Sequence, residues 1–379
     1  MARDSRMAQS LSSDKGSLPP KVPAQPAASD NQQRRRRLVR NFIRNVLTPI
    51  AAILAALAVS ALILLAAGYN PVTSFAAMWH GAFGDLRTFT EVLIYATPLI
   101  LIGSGLAVAF RCSIWNIGAE GQFYAGAVAS TIIGIYVHGL PVYLDVPLIL
   151  LAGAAGGALW GMLAAWLKIR FNASEIVTTI MLNYIAIVGT SYLVTGPMIE
   201  AAKHYPQTDQ IDPAAMLPRF LPPTRLHIGF LVALLVAVVL YVLLFKTGTG
   251  YAIRAVGINA ETARYAGMNI SRNIMLAMAI SGGAAGLAGG VELAGIAFRL
   301  YQQISPGFGY DGIAVALLAS NNPLGIILSG ILFGALRSGS EMMQITAHIP
   351  SVLVFAIQGL IILSVVAFGV YSARSARSD

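Results

Sequence analysis

Apolar residues along this chain fall into long blocks, at residues 46–67, 92–110, 123–137, 147–167, 176–194, 228–245, 274–296 and 350–370. A helix rises about 1.5 Å per residue, so about 20 apolar residues cross a hydrocarbon layer of roughly 30 Å. Two shorter stretches, 312–319 and 324–336, are separated by Ser320, Asn321, Asn322 and Pro323. They read either as two thin spans or as one re-entrant pair of half-helices, and both choices begin and end on the same side. The pattern predicts an all-α polytopic membrane protein with about eight full transmembrane helices and a short pair, ten in all.

Composition fits that reading. Charged residues are 11% of the chain against 56% hydrophobic, and the mean hydropathy is +0.71. A soluble domain is usually about a quarter charged, because its surface is wetted. The net charge of +9 is concentrated in residues 1–45, where ten basic residues face three acidic ones. This segment, rich in Ser, Pro, Gln and Ala, reads as a disordered basic tail. Its run Arg34–Arg37 just precedes the first block, where positive charge holds a terminus in the cytoplasm. No aromatic or DNA-binding motif accompanies it, so nucleic acid is not an expected partner. No signal-peptide cleavage site follows the first block, which is expected to stay in the mature protein.

The remaining charges agree with that orientation. Lys168, Arg170, Lys246, Arg254, Arg264, Arg272, Arg374 and Arg377 fall on the cytoplasmic side. The proline-rich segment 196–226, with Glu200, Asp209 and Asp212, falls outside. The expected organisation is a membrane-spanning domain over 46–371 with a cytoplasmic loop at 246–272, then a cytoplasmic tail at 372–379. Cys112 is the only cysteine, and the five histidines have no ligand spacing, so neither a disulfide nor a metal site is expected. Trp79, Trp115, Trp160 and Trp166 sit near predicted span ends, as interfacial anchors do.

Two features suggest transport. Ala109-Phe110-Arg111 followed by Gly121 resembles Ala297-Phe298-Arg299 followed by Gly309, and the two copies leave helices running in opposite directions. Inverted repeats of this kind build central sites in transporters. In the cytoplasmic loop, Asn259 is placed to cap a short amphipathic helix starting near Glu261, and Gly267 suits its C-terminal end. A short capped helix standing off the membrane is a docking device for a cytoplasmic partner, or else an ordinary interfacial helix.

Glu261, Ala263 and Gly267 match the Glu-Ala-Ala-x-x-x-Gly loop of ABC importer permeases, with Thr262 departing at the middle position. The run Asn116-Ile117-Gly118-Ala119-Glu120-Gly121-Gln122 resembles the Asn-x-Gly-x-Glu-Gly-Gln signature of the branched-chain amino acid, ribose and nucleoside branch of that family. Asn172–Val177, Met181–Tyr184 and Ser305–Ala316 look similar to its nucleoside type, the likeness covers about 90–363, and the solute it implies is a nucleoside or a related sugar-like molecule. The resemblance implies a multi-pass protein of the cell inner membrane, pairing with a second permease. It further implies a cytoplasmic ATPase that uses ATP and Mg, and a periplasmic or lipoprotein substrate-binding protein. On that reading Asn259, Glu261, Ala263 and Gly267 form the coupling helix seated in the ATPase. The chain itself has no Gly-Lys dipeptide and so no phosphate-binding P-loop. It is expected to bind no cofactor and to catalyse no bond-breaking step.

Polar groups at membrane depth are candidates for the solute path. Asn116, Glu120, Gln122, Asn183, Asn321 and Asn322 could offer amides and carboxylates to ribose hydroxyls and base edges. Equally, Arg111 with Glu120 and Arg299 with Asp311 could be structural pairs, and the asparagines at 321 and 322 could make a turn. An alternative function is an ion-coupled secondary transporter using Glu120 or Glu292, which would need no docking helix.

Overall fold

In the computed structural model, residues 54–375 are described, and they form thirteen α-helices without a sheet. The predicted basic tail at 1–45 and the last residues of the predicted C-terminal tail lie outside the described residues. The helices are α1 (Leu54–Ala66), α2 (Pro71–Phe83), α3 (Leu86–Arg111), α4 (Ala119–Tyr136), α5 (Val142–Phe171) and α6 (Glu175–Thr195). They continue with α7 (Gly229–Lys246), α8 (Gly248–Ile258), α9 (Ala260–Tyr265), α10 (Ile270–Glu292), α11 (Phe308–Leu318), α12 (Pro323–Ala347) and α13 (Ser351–Ser375). Six of them, α3, α5, α6, α7, α10 with its following π turn, and α12, are long and apolar enough to cross a bilayer.

Local chemistry sets the helix ends. Asp85 and Thr88 form a capping box at the start of α3, with Thr88 N donating to Asp85 Oδ1 at 2.7 Å and Asp85 N to Thr88 Oγ1 at 3.0 Å. Asn269 accepts from Arg272 N at 2.9 Å to open α10, and Asn172, left-handed at φ 52°, closes α5. Inside the bundle α3 is the central element, packed by α10, α11, α12 and α7. On the other side α10 lies closely against α5 and α4, through the glycine- and alanine-rich stretch from Ser281 to Gly290. Small residues let backbones meet where lipid supplies no hydrophobic drive between helices.

The two ends of α7 define two faces. One carries α8 and α9; the other carries the proline-rich loop 196–228. That loop packs down on the end of α10 and the segment after it. Leu217 N donates to Ala294 O at 2.8 Å, Ile211 N to Phe298 O at 3.0 Å and Thr208 N to Leu300 O at 2.8 Å. Glu200 pins it there by accepting from Gln207 Nε2 at 2.7 Å, Tyr205 N at 3.0 Å and Arg299 Nη1 at 3.1 Å. The Gln207 amide in particular holds the Glu200 carboxyl below its usual range. His227 is buried against Gly229 and Gly295, and burial pushes its imidazole down to about 4, so it is neutral at pH 7. Among the described residues no group of three His, Cys, Asp or Glu side chains could hold a metal.

The fold departs from the apolar pattern in two places. The short pair is unequal: α11 is a half-helix of 11 residues, but the second stretch is the first part of α12, whose 25 residues can cross the membrane. Arg337, Ser338, Ser340 and Glu341 interrupt the apolar run there without interrupting the helix. The sequence pattern also omits α2, which packs on α12, with Ser338 Oγ donating to Gly81 O at 2.7 Å. Its signal is local: Asn70 caps it by accepting from Val72 N at 2.9 Å, and Pro71 occupies the first turn.

Candidate functional site

The two repeat copies meet inside the bundle. α3 ends at the α8 face, where the Arg111 guanidinium lies 5.5 Å from the Phe245 ring centroid, and the chain turns back into the bundle to start α4 at Gly118. α10 ends at the opposite face beneath the proline-rich loop, and residues 298–307 descend from there to start α11. The two helix N-termini come together, and Glu120 Oε2 accepts from Gly309 N at 2.7 Å. A carboxylate between two helix N-termini is well placed, since both present unpaired amides and a partial positive charge.

Four of the six candidate path residues assemble around this junction. Asn116 Nδ2 donates to Gln122 Oε1 and to Ser281 Oγ, each at 2.9 Å, and its Oδ1 accepts from Gly118 N at 2.9 Å. Asn183 Oδ1 accepts from Gly121 N at 2.8 Å, and its Nδ2 donates to Ile117 O at 2.9 Å. Asn183 stands eight residues past the start of α6, so the junction lies about 12 Å along the α6 axis. Asn116, Glu120, Gln122 and Asn183 are each at most 2% exposed. Such a network ties α4, α6, α10 and α11 together with its amides already engaged by protein. Tyr124 is likewise buried, and its hydroxyl accepts from Ser305 N at 3.4 Å, so its ring is not free to stack on a base.

Asn321 and Asn322 lie elsewhere, about 16 Å away across the length of α11. Asn322 Oδ1 accepts from Leu324 N at 3.2 Å and caps α12, while Ser320 and Asn321 take left-handed φ of 52° and 56° in the turn. Arg111 binds this turn, with Nη2 donating to Ser320 O at 3.0 Å and Nε to Asn321 O at 3.2 Å. Arg299 and Asp311, offered by the sequence as one structural pair, each take another partner. Arg299 pairs with Glu200 at 3.1 Å and Asp311 with Arg337 at 3.3 Å.

Removing Asn183 should expose the network's structural weight. Asn183→Ala leaves Gly121 N and Ile117 O unpaired in a buried site, and each orphan costs about 1–3 kcal/mol. Its melting temperature in detergent should fall well below that of Asn322→Ala, which loses only a helix cap worth about 1 kcal/mol. Equal melting of the two variants would refute a load-sharing network at the junction.

At the α8 face the predicted docking helix is present. Asn259 Oδ1 accepts from Glu261 N and Thr262 N, both at 3.0 Å, and Gly267 follows α9 with φ +79°. Ala263 is buried and seats α9 on the cluster that holds Ile253 and Val256 of α8 and Met278 of α10. Around it a groove of about 290 Å³ is lined by Tyr251, Ala255, Ile258, Asn259, Thr262 and Ala266 among others. Ile258 is 87% exposed and Tyr265 92% exposed. The motif had pointed to Glu261 and Gly267; these two large apolar side chains at the polar end of the bundle were not singled out by it.

The family model described as branched-chain amino acid transport system / permease component matches residues 88–366. The guanosine ABC transporter permease protein NupP of Bacillus subtilis (strain 168) is 39% identical over 85% of this chain and 93% of its own length. The glucose ABC transporter permease protein TsgB13 of Haloferax volcanii is 35% identical over 83% of this chain and 86% of its own. The nucleoside ABC transporter permease protein NupB of Lactococcus lactis subsp. cremoris is 32% identical over 80% and 86%, respectively. No solved structure matches the chain significantly.

Proposed function

Because this chain belongs to the family of permease components of the branched-chain amino acid transport system type, we propose that it forms the path by which an ABC importer takes nucleosides across the inner membrane of the cell. In this family the permease is a transport component, and ATP is hydrolysed on a separate ATPase. The observation that carries the coupling is α9: a six-residue helix, capped at both ends, that holds Tyr265 out beside the exposed Ile258 at the end of α8, at one end of a bundle of apolar spans. On this reading the α8 face is cytoplasmic and receives the ATPase, so both termini are cytoplasmic as well. The proline-rich loop face is external and receives the substrate-binding protein. Each permease pairs with a second one, identical or homologous.

The mechanism is alternating access. ATP-driven closure of the ATPases pushes on α9, which is joined through α8 to α7 and directly to α10. Tilting these helices against α3 opens the path toward the loaded binding protein, and relaxation closes it. Two of the three relatives described above carry guanosine or nucleoside in their names and one carries glucose, which favours nucleosides over sugars.

The test is uptake into proteoliposomes holding this chain, its partner permease, the ATPase and the binding protein. ATP-dependent accumulation of guanosine or inosine in excess of glucose is the expected outcome. Accumulation that follows a proton gradient and ignores ATP would overturn the proposal in favour of ion coupling; ATP-dependent uptake of glucose alone would replace the solute.

A further inference from the structure

The sealed network at the junction has a neighbour that is open. Glu91 and Tyr95 stand four residues apart on α3, and Arg337 and Glu341 four apart on α12, so each pair shares a helix face. α3, α11 and α12 pack on one another and bring these residues together. From the loop face inward, Arg225 grips Glu91 in a two-pronged pair at 3.0 and 2.7 Å. Tyr95 Oη donates to Glu341 Oε1 at 2.6 Å. Arg337 Nη1 donates to Asp311 Oδ2 at 3.3 Å, with its guanidinium 5.8 Å from the Phe308 ring centroid. Asp311 stands in the first turn of α11, two residues past the amide that Glu120 holds. The line of polar groups thus leads from the external loop to the place where the N-termini of α4 and α11 meet.

Hydrogen-bond capacity separates this line from the network beside it. The amides of Asn116 and Asn183 donate and accept within the protein at ordinary distances. Arg337 has five N–H donors and uses one of them, in a long bond. Asp311 and Glu341 each accept one bond where a carboxylate has room for about four. Nor are these groups sealed: Glu341 is exposed, and the side chains of Asp311, Glu91 and Arg337 retain 25%, 19% and 12% of their accessible surface. Charges at membrane depth with unfilled capacity are costly unless water or a solute completes them.

We propose that Arg337, Asp311, Glu341 and Tyr95 form the polar station at which the solute is held on its way through the permease. Arg337 donates to a ring carbonyl or ring nitrogen, while Asp311 and Glu341 accept from ring N–H groups and hydroxyls. A neutral solute with donors and acceptors side by side, such as an oxopurine nucleoside, fills both sets. A sugar fills the carboxylates and offers the guanidinium only hydroxyl oxygens. This inference rests on the reading of the chain as a nucleoside permease and assigns residues to it.

The experiment uses the complete transporter in proteoliposomes, with inosine, cytidine and glucose as probes and substrate-free ATP hydrolysis measured alongside. Glu341→Gln and Arg337→Gln should each lower inosine uptake at least tenfold. Both should change the inosine-to-cytidine ratio at least threefold and leave substrate-free hydrolysis within twofold of wild type. Should Arg337→Gln fail to assemble, Glu341→Gln and Tyr95→Phe, which change an exposed carboxylate and a single hydroxyl, still decide the matter. Wild-type uptake in these two, or an equal fall for every probe together with hydrolysis, overturns the station and leaves a structural role. Omission of ATP is the control for the parent reading, because uptake that persists without it argues against the ABC mechanism rather than against the station.

Discussion

Gly286→Leu should leave no folded permease to assay. A Cβ built on Gly286 would run into the carbonyl oxygen of Gly153 and stand 2.7 Å from the Cα of Gly157. Both obstacles are backbone, so no rotamer change relieves them, and α10 could accept the leucine only by lifting off α5. Overpacking a well-filled core costs about 1–3 kcal/mol when side chains can adjust. Here they cannot, and the α5–α10 contact is the most extensive helix pairing among the described residues. The control lies three residues away. A Cβ on Gly283 meets Ala154 O at 3.4 Å and Ala158 Cβ at 3.6 Å, which is ordinary contact. Gly283→Ala should therefore not destabilise the protein, and by lowering the unfolded chain's entropy should add about 0.4–1 kcal/mol. Size-exclusion profiles and melting curves of the detergent-solubilised variants test the contrast. A monodisperse Gly286→Leu protein that melts with wild type would show that the helices are not held at this distance.

Tyr265→Ala should uncouple the protein without unfolding it. Tyr265 extends almost wholly into solvent from a helix whose own fold depends on Asn259 and Ala263, so its removal disturbs little within the chain. A large aromatic side chain held out at a polar end is the kind of group that dominates a protein–protein contact. Its loss should weaken ATPase binding by about 2 kcal/mol, roughly thirty-fold. Gly267→Pro should give the same result by another route. Its backbone sits at φ +79°, whereas proline is fixed near −65°, so the end of α9 must rearrange. Titration of purified ATPase onto the permease measures the first effect, and solute-stimulated ATP hydrolysis measures both. Full stimulation in the two variants would exclude α9 as the coupling element.

How far the site was legible follows from the range of the interactions involved. Asn259 and Gly267 were readable because a cap is a contact between neighbours in sequence, and the same holds for the turn at Ser320 and Asn321. Asn116, Glu120, Gln122 and Asn183 were readable as polar residues in apolar surroundings, but their partners were not. Glu120 meets Gly309 across 189 residues, and Asn183 meets Gly121 across 62. Arg337 and Glu341 went unremarked because they fall where the apolar run of α12 breaks off, and their four-residue spacing has meaning only once that helix is known to continue.

The sequence by itself determined the all-helical fold, the positions of five of the six long apolar helices and the capped helix at one end, because each rests on hydropathy or on contacts a few residues apart. Hydropathy measures transfer from water to an apolar medium, and lipid and protein interior are equally apolar. α7 is the more hydrophobic of two spans, at mean hydropathy 2.6, yet only 28% of its apolar window is buried; α3, at 2.1, is 89% buried. Which helix stands at the centre, and which polar groups are sealed against one another or left partly exposed, was therefore decided only by tertiary packing, where glycines let backbones touch and polar atoms find partners far along the chain.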